Sequence, residues 1–212
     1  MAMNNAARLS CWAAVVGAAV EIIAILSAAI VAPGKLDPKT AQSVAYIVIN
    51  ILSAVGAVLV LYGLPGIFVR WREGWGRIGL AGIALLALMW MLLVFFSLVA
   101  ATLDSWLAVK APDLFNDPGG PPLYGAVTII VFVALIVGSI MMAIPILRGR
   151  VGRHWVAFLL IASPLMFVAF FWAAVSPPNV PLALIGSLGP ILACVALGYL
   201  GYLGASDSGS VR

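Results

Sequence analysis

One carboxylate, Glu21, falls inside an apolar run extending from about Trp12 to Ala32, where Ser27 is the only other polar side chain. An ionisable group near the bilayer centre costs about 2.5–3.5 kcal/mol on insertion scales, so it is a functional candidate by default and must face protein or a polar path. Two chemistries are open to it: reversible binding of a proton or small cation, or a neutral hydrogen-bonded contact between helices. Helical spacing places Gly17, Ala24 and Ala28 on the Glu21 face at i−4, i+3 and i+7, a small-residue stripe that admits a close neighbour. The next apolar run brings Asn50 to similar depth, with Ser43, Ala54 and Ala57 on its face. The expected pairing is Glu21 with Asn50, and Ser53 is the alternative partner. Glu21, Asn50 and Ser53 therefore make up the candidate binding site.

The remaining reactive residues are scattered. His154 is the single histidine, so two axial ligands within one chain are excluded, and it reads as a polar flank at the start of a helix. Cys11 and Cys194 lie near opposite ends of the chain with no CxxC or Cys/His spacing, which supports neither a thiol redox pair nor a structural zinc site. Leu9-Ser10-Cys11 has the look of a lipoprotein cleavage box, but no apolar segment precedes it. Gly76-x-x-Gly79-x-x-Gly82 and Gly198-x-x-Gly201-x-x-Gly204 lack the Lys-Ser/Thr of a phosphate loop and read as close helix packing. Asp113 to Gly120 carries oxygen ligands without the spacing of a calcium loop. No catalytic residue, metal ligand or cofactor site is therefore expected.

The elements that must carry these residues are membrane helices. Of 212 residues, 65% are hydrophobic and 8% charged, against roughly 45–50% and about 25% in soluble domains. A water-soluble fold could not cover that apolar surface. The runs are long and continuous rather than alternating over ~10 residues, which excludes a β-barrel. The expectation is an all-α polytopic bundle forming one transmembrane domain over residues 1–212. Its six spans run at about 12–32, 41–69, 78–103, 124–147, 155–175 and 181–203. The first is too long for a signal-peptide core, and Pro33 after Ala32 disfavours cleavage. Between spans lie the basic tract around Arg70–Arg77, the long connection Asp104–Pro122, the tract RGRVGRHW and the pair Pro177-Pro178.

Charge sets the orientation. One side receives Arg8, Arg70, Arg72, Arg77, Arg148, Arg150, Arg153 and Arg212, and the other only Lys35, Lys39 and Lys110. By the positive-inside rule both termini are expected in the cytoplasm. Trp12, Trp71, Trp75 and Trp155 then fall near the inner interface. The net charge of +4 is explained by topology, so nucleic acid is not expected as a partner. Membrane lipids are, with anionic head groups at Arg70, Arg72, Arg77, Arg148, Arg150 and Arg153, and there is room for a protein partner or a second copy.

Leu64-Pro65 before Arg70-x-Arg72 and Arg77 is echoed by Ile144-Pro145 before Arg148-x-Arg150 and Arg153, a pattern open to reading as a parallel repeat of two helical hairpins or as ordinary helix exits. With its LYGLPGxxxR and PxLRxR tracts the chain resembles small six-span membrane proteins found widely in bacterial genomes. That resemblance implies the fold and the bacterial inner membrane, and no activity, cofactor or catalytic residue. The first functional expectation is a non-enzymatic structural or regulatory membrane module. A small-solute, proton or cation transporter or channel using Glu21 is the alternative. A lipid-modifying enzyme is weaker, since Ser163, His154 and the outer acids lie at different depths.

Overall fold

Long apolar stretches with capped ends dictate helices, and a computed structural model describing residues 5–115, 122–175 and 177–206 contains helices and no strand among them. The long helices are α1 (Asn5–Val31), α3 (Val44–Arg70), α4 (Arg72–Val99), α6 (Pro122–Leu147), α7 (His154–Val175) and α8 (Val180–Ser206). Two short ones, α2 (Pro38–Ala41) and α5 (Ser105–Lys110), stand before α3 and after α4. Five helical stretches are long and apolar enough to cross a membrane, and α7 adds a shorter apolar stretch, His154–Ala169. This is the pattern of a multi-pass membrane protein.

Each long helix packs on its chain neighbour, α1 on α3, α3 on α4, α4 on α6, α6 on α7 and α7 on α8, and α8 returns to α1 to close a ring. The closure is drawn tight by small residues: Gly201 of α8 approaches the Cys11 carbonyl and Ala14 of α1. At the other end, Asn179 donates its N–H to the Pro33 carbonyl and caps α8 by accepting from the Leu182 N–H.

The connections differ from the sequence reading in four places. The linker after α1 contains α2, because Asp37 accepts from the Lys39 and Thr40 N–H groups at 2.9 and 3.0 Å and from the Thr40 hydroxyl, with Pro38 at the first helical position. Helix α3 starts at Val44 rather than near Ala41, since Ser43 caps it. The basic tract shrinks to Trp71 alone between α3 and α4, and the bend expected up to Ile78 is taken up inside α4 by Gly76 at φ +57°.

Beyond Val99 the helix does not stop at Leu103. It passes through a π turn, Ala100–Asp104, into α5, giving 39 helical residues from Arg72 to Lys110. That length is roughly 58 Å at 1.5 Å per residue, more than a ~30 Å hydrocarbon core needs. The π turn stays packed on α3, and Ser105 and Gln42 tie the continuation to α2 through the Ala41 and Ala108 carbonyls. Residues 116–121 of the long connection, and with them most of Asp113–Gly120, lie outside the described residues, as does Arg212.

Trp75, expected near the inner interface, is 2% exposed and belongs to the hydrophobic core together with Ile146 and Val151.

Candidate functional site

The seam between α1 and α3 decides where Glu21 goes. Gly17 meets α3 so closely that a Cβ there would lie 2.6 Å from the Val60 nitrogen and 2.7 Å from the Gly56 carbonyl oxygen, and a Cβ on Gly56 would lie 2.9 Å from the Glu21 Cγ. Two helices with glycine facing glycine pack backbone to backbone. This register seats the Glu21 side chain on Gly56, one turn from Ser53. Glu21 is 1% exposed.

The Ser53 hydroxyl donates to both Glu21 oxygens, at 3.1 Å to Oε2 and 3.3 Å to Oε1, and accepts from the Ser97 hydroxyl of α4 at 3.2 Å. Each hydroxyl has a single proton to give, so Ser97 to Ser53 to Glu21 is a self-consistent donor chain crossing three helices. Ser97 is itself buried. On α8, Cys194 is fully buried.

Asn50 does not join this chain. Its Nδ2 donates to the Tyr46 carbonyl of its own helix at 2.9 Å, and the Glu21–Asn50 pairing expected first is replaced by the Ser53 alternative. Depth and a small-residue face made Asn50 attractive; the glycine contact instead seats the carboxyl on Gly56, where Ser53 bonds it. Tyr46, one turn further along α3, donates through its hydroxyl to Asp104 in the π turn at 3.2 Å.

A second polar contact on the same seam escaped the sequence reading. Ser10 accepts from the Gly66 N–H at 2.9 Å and donates to the Tyr62 carbonyl at 2.6 Å. Tyr62 and Gly66 are the i and i+4 partners that would bond each other in an unbroken helix, so the hydroxyl is inserted into the ladder of α3 beside Pro65. The available signal was the proline, which marks a strained ladder and calls for a donor–acceptor side chain on a neighbouring helix. Ser97 had a plainer signal as the only hydroxyl between Ile78 and Ala101.

Among the described residues the other reactive groups are spread apart. His154 and Ser163 share α7 but stand nine residues apart, roughly 14 Å along the axis, with His154 exposed and Ser163 fully buried. Among the described residues no three His, Cys, Asp or Glu side chains lie together as metal ligands would. Cys11 and Cys194 are free thiols.

At the opposite end of the seam the two Arg-rich tracts are brought together, Gly74 of α4 lying against the backbone of Arg150 and the side chain of Val151. Arg70, Arg72 and Arg150 border one groove there, and Arg77, Arg148 and Arg150 a smaller one. Arg153 is exposed in the turn between α6 and α7. The tracts are not equivalent in form, since one residue joins α3 to α4 whereas six residues, with Gly149 and Gly152 at positive φ, join α6 to α7. Compared with known protein families, curated proteins and solved structures, the chain matches none.

Proposed function

We propose that this chain is a non-enzymatic structural or regulatory module of a bacterial inner membrane, with six spans, both termini in the cytoplasm and the arginine end against anionic head groups. The observation that carries this reading is the enclosed seating of Glu21. A carboxyl 1% exposed, backed by glycine and satisfied by a serine hydroxyl, resembles a helix-packing contact more than a transport site, which needs water or ligand to reach it. Neither groove at the arginine end includes Glu21.

Glu21→Gln tests it directly, because the amide keeps the volume and hydrogen-bonding capacity while abolishing titration. For a packing contact, the variant melts within about 0.5 kcal/mol of the parent, the range of mild substitutions, and leaves any phenotype unchanged. Loss of a pH-dependent ion flux in proteoliposomes at unchanged stability would instead establish the second reading, a proton or cation site. That reading is favoured by the Ser97–Ser53–Glu21 donor chain, which can reverse its hydrogen bonds when the carboxyl takes up a proton.

Orientation has its own test. In a background lacking Cys11 and Cys194, Arg72→Cys and Arg150→Cys are expected to resist a membrane-impermeant thiol reagent in intact cells while Asp113→Cys reacts. The opposite labelling would invert the topology.

A further inference from the structure

The groove at the arginine end encloses about 1130 Å³, and we propose that it holds the phosphate head group of one anionic lipid, whose acyl chains run out along α3. The inference rests on the reading that this end meets the inner membrane surface. It narrows a general attraction shared by six arginines to one site made by three.

The rim carries Arg70, Arg72 and Arg150 together with one carboxylate, Glu73. These positive groups come from the end of α3, the start of α4 and the turn between α6 and α7, and only packing unites them. Gly74 makes the union possible: a Cβ there would lie 2.7 Å from the Val151 Cγ2 and closer still to the Arg150 carbonyl oxygen, so any side chain would push that turn away. Arg70 is steadied over the Trp71 ring, 5.1 Å from its centroid. Guanidinium groups bind phosphate oxygens in pairs through a planar fork of donors. Guanidinium groups from three elements on one rim can present such forks to the anionic oxygens of a phosphodiester such as that of phosphatidylglycerol.

The rest of the groove argues for an amphiphile over a soluble anion. Tyr62, Pro65 and Val69 continue its wall along one face of α3, at i, i+3 and i+7. Tyr62 and Val69 are 61% and 53% exposed, and Tyr62 stands eight residues from Arg70, roughly 12 Å along the helix. A free phosphate would use the rim alone. A basic rim opening onto an apolar wall of that length matches a head group joined to acyl chains, the usual form of a basic lipid pocket beside membrane helices.

Native mass spectrometry of the full chain released from vesicles of equal phosphatidylglycerol and phosphatidylcholine reads the occupancy. The parent is expected to retain one phosphatidylglycerol. Arg70→Gln/Arg72→Gln/Arg150→Gln should weaken retention at least tenfold, roughly the loss of one charge-assisted contact or more, whereas Arg77→Gln/Arg148→Gln/Arg153→Gln, which removes equal charge, should keep it. Equal weakening in both sets would overturn the site and leave the diffuse attraction; no weakening in either would overturn both. Displacement by inorganic phosphate would show a soluble-anion site and overturn the lipid assignment, and retention in its presence supports it. Should the triple variant fail to fold, Arg150→Gln alone is expected to weaken retention several-fold at unchanged melting temperature while Arg153→Gln does not. Full retention by Arg150→Gln would sink the proposal.

Discussion

Two polar contacts stitch α1 to α3, eleven residues apart on α1, and they solve opposite problems. Ser10 repairs the backbone: beside Pro65 its hydroxyl takes the Gly66 N–H and serves the Tyr62 carbonyl, satisfying groups that already exist. Glu21 brings a costly group into the seam and needs Ser53 to satisfy it. Removing the repair strands backbone groups on the partner helix. Removing the carboxyl strands the Ser53 hydroxyl, which can turn back to its own helix. The lesson is that a buried polar side chain is not equally valuable wherever it occurs; what counts is which partner is left unpaired when it goes.

Substitutions can break or sharpen this contrast. The largest effect is expected from Gly17→Leu, which places side-chain atoms where the Val60 nitrogen and Gly56 carbonyl stand and should cost on the order of 3 kcal/mol by forcing the two backbones apart. Unfolding in mixed micelles would measure it, and a cost below about 1 kcal/mol would show that the seam is more pliant than its geometry implies. Such a result would weaken both contacts together.

Ser10→Ala should cost about 1–2 kcal/mol through the stranded pair on α3. If the loss stays under about 0.5 kcal/mol, the Tyr62–Gly66 hydrogen bond has re-formed by itself and the hydroxyl is not a repair. Glu21→Leu should cost about 1–2 kcal/mol, nearer the lower figure because Ser53 has other acceptors within reach. Ser97→Ala, which removes only the outer donor of the chain, should cost about 0.6 kcal/mol, the average for such contacts in membrane helices. The rank order of Ser10, Glu21 and Ser97 is the sharp form of the comparison; finding Ser97 first would mean that the hydroxyl chain, and not the backbone repair, secures the bundle.

The smallest effect is expected outside the seam, at Asp37. Its carboxyl is held below the ordinary value of 3.8 by the Thr40 hydroxyl foremost, then by the Thr40 and Lys39 N–H groups. A lowered folded value means that the cap contributes fully above about 3.8 and that the contribution fades as pH falls through the folded value. Amide exchange at Lys39–Gln42 should therefore quicken on acidification in the parent. With Asp37→Asn, which still caps a helix, it should change little over the same range. An unchanged acid profile in both proteins would show that α2 is held by other contacts, such as Ser105 on the Ala41 carbonyl.

How far the fold was legible depends on the distance over which the deciding interaction acts. Helix positions are local, written in runs of apolar residues, so α1, α3, α6, α7 and α8 stand within a few residues of expectation, apart from the early start of α1. The misplaced limits of α4 have local causes that composition hides: a glycine that bends the helix without ending it, and a π turn that carries it past Asp104. The candidate site was legible only in part. Glu21 stood out by its cost in an apolar run, but its partner could not be read from depth, because Asn50 and Ser53 are less than a turn apart.

From its own sequence this chain determines an all-helical bundle, the isolation of Glu21 and the gathering of arginines at alternate helix ends, since each follows from side-chain chemistry repeated along short stretches. Only the tertiary structure decides that Glu21 rests on Ser53, that Ser10 completes the ladder at Pro65, and that Arg70, Arg72 and Arg150 share a groove. Those outcomes depend on interhelical register, which close glycine contacts set to within a fraction of a turn and which the pattern along one helix does not encode.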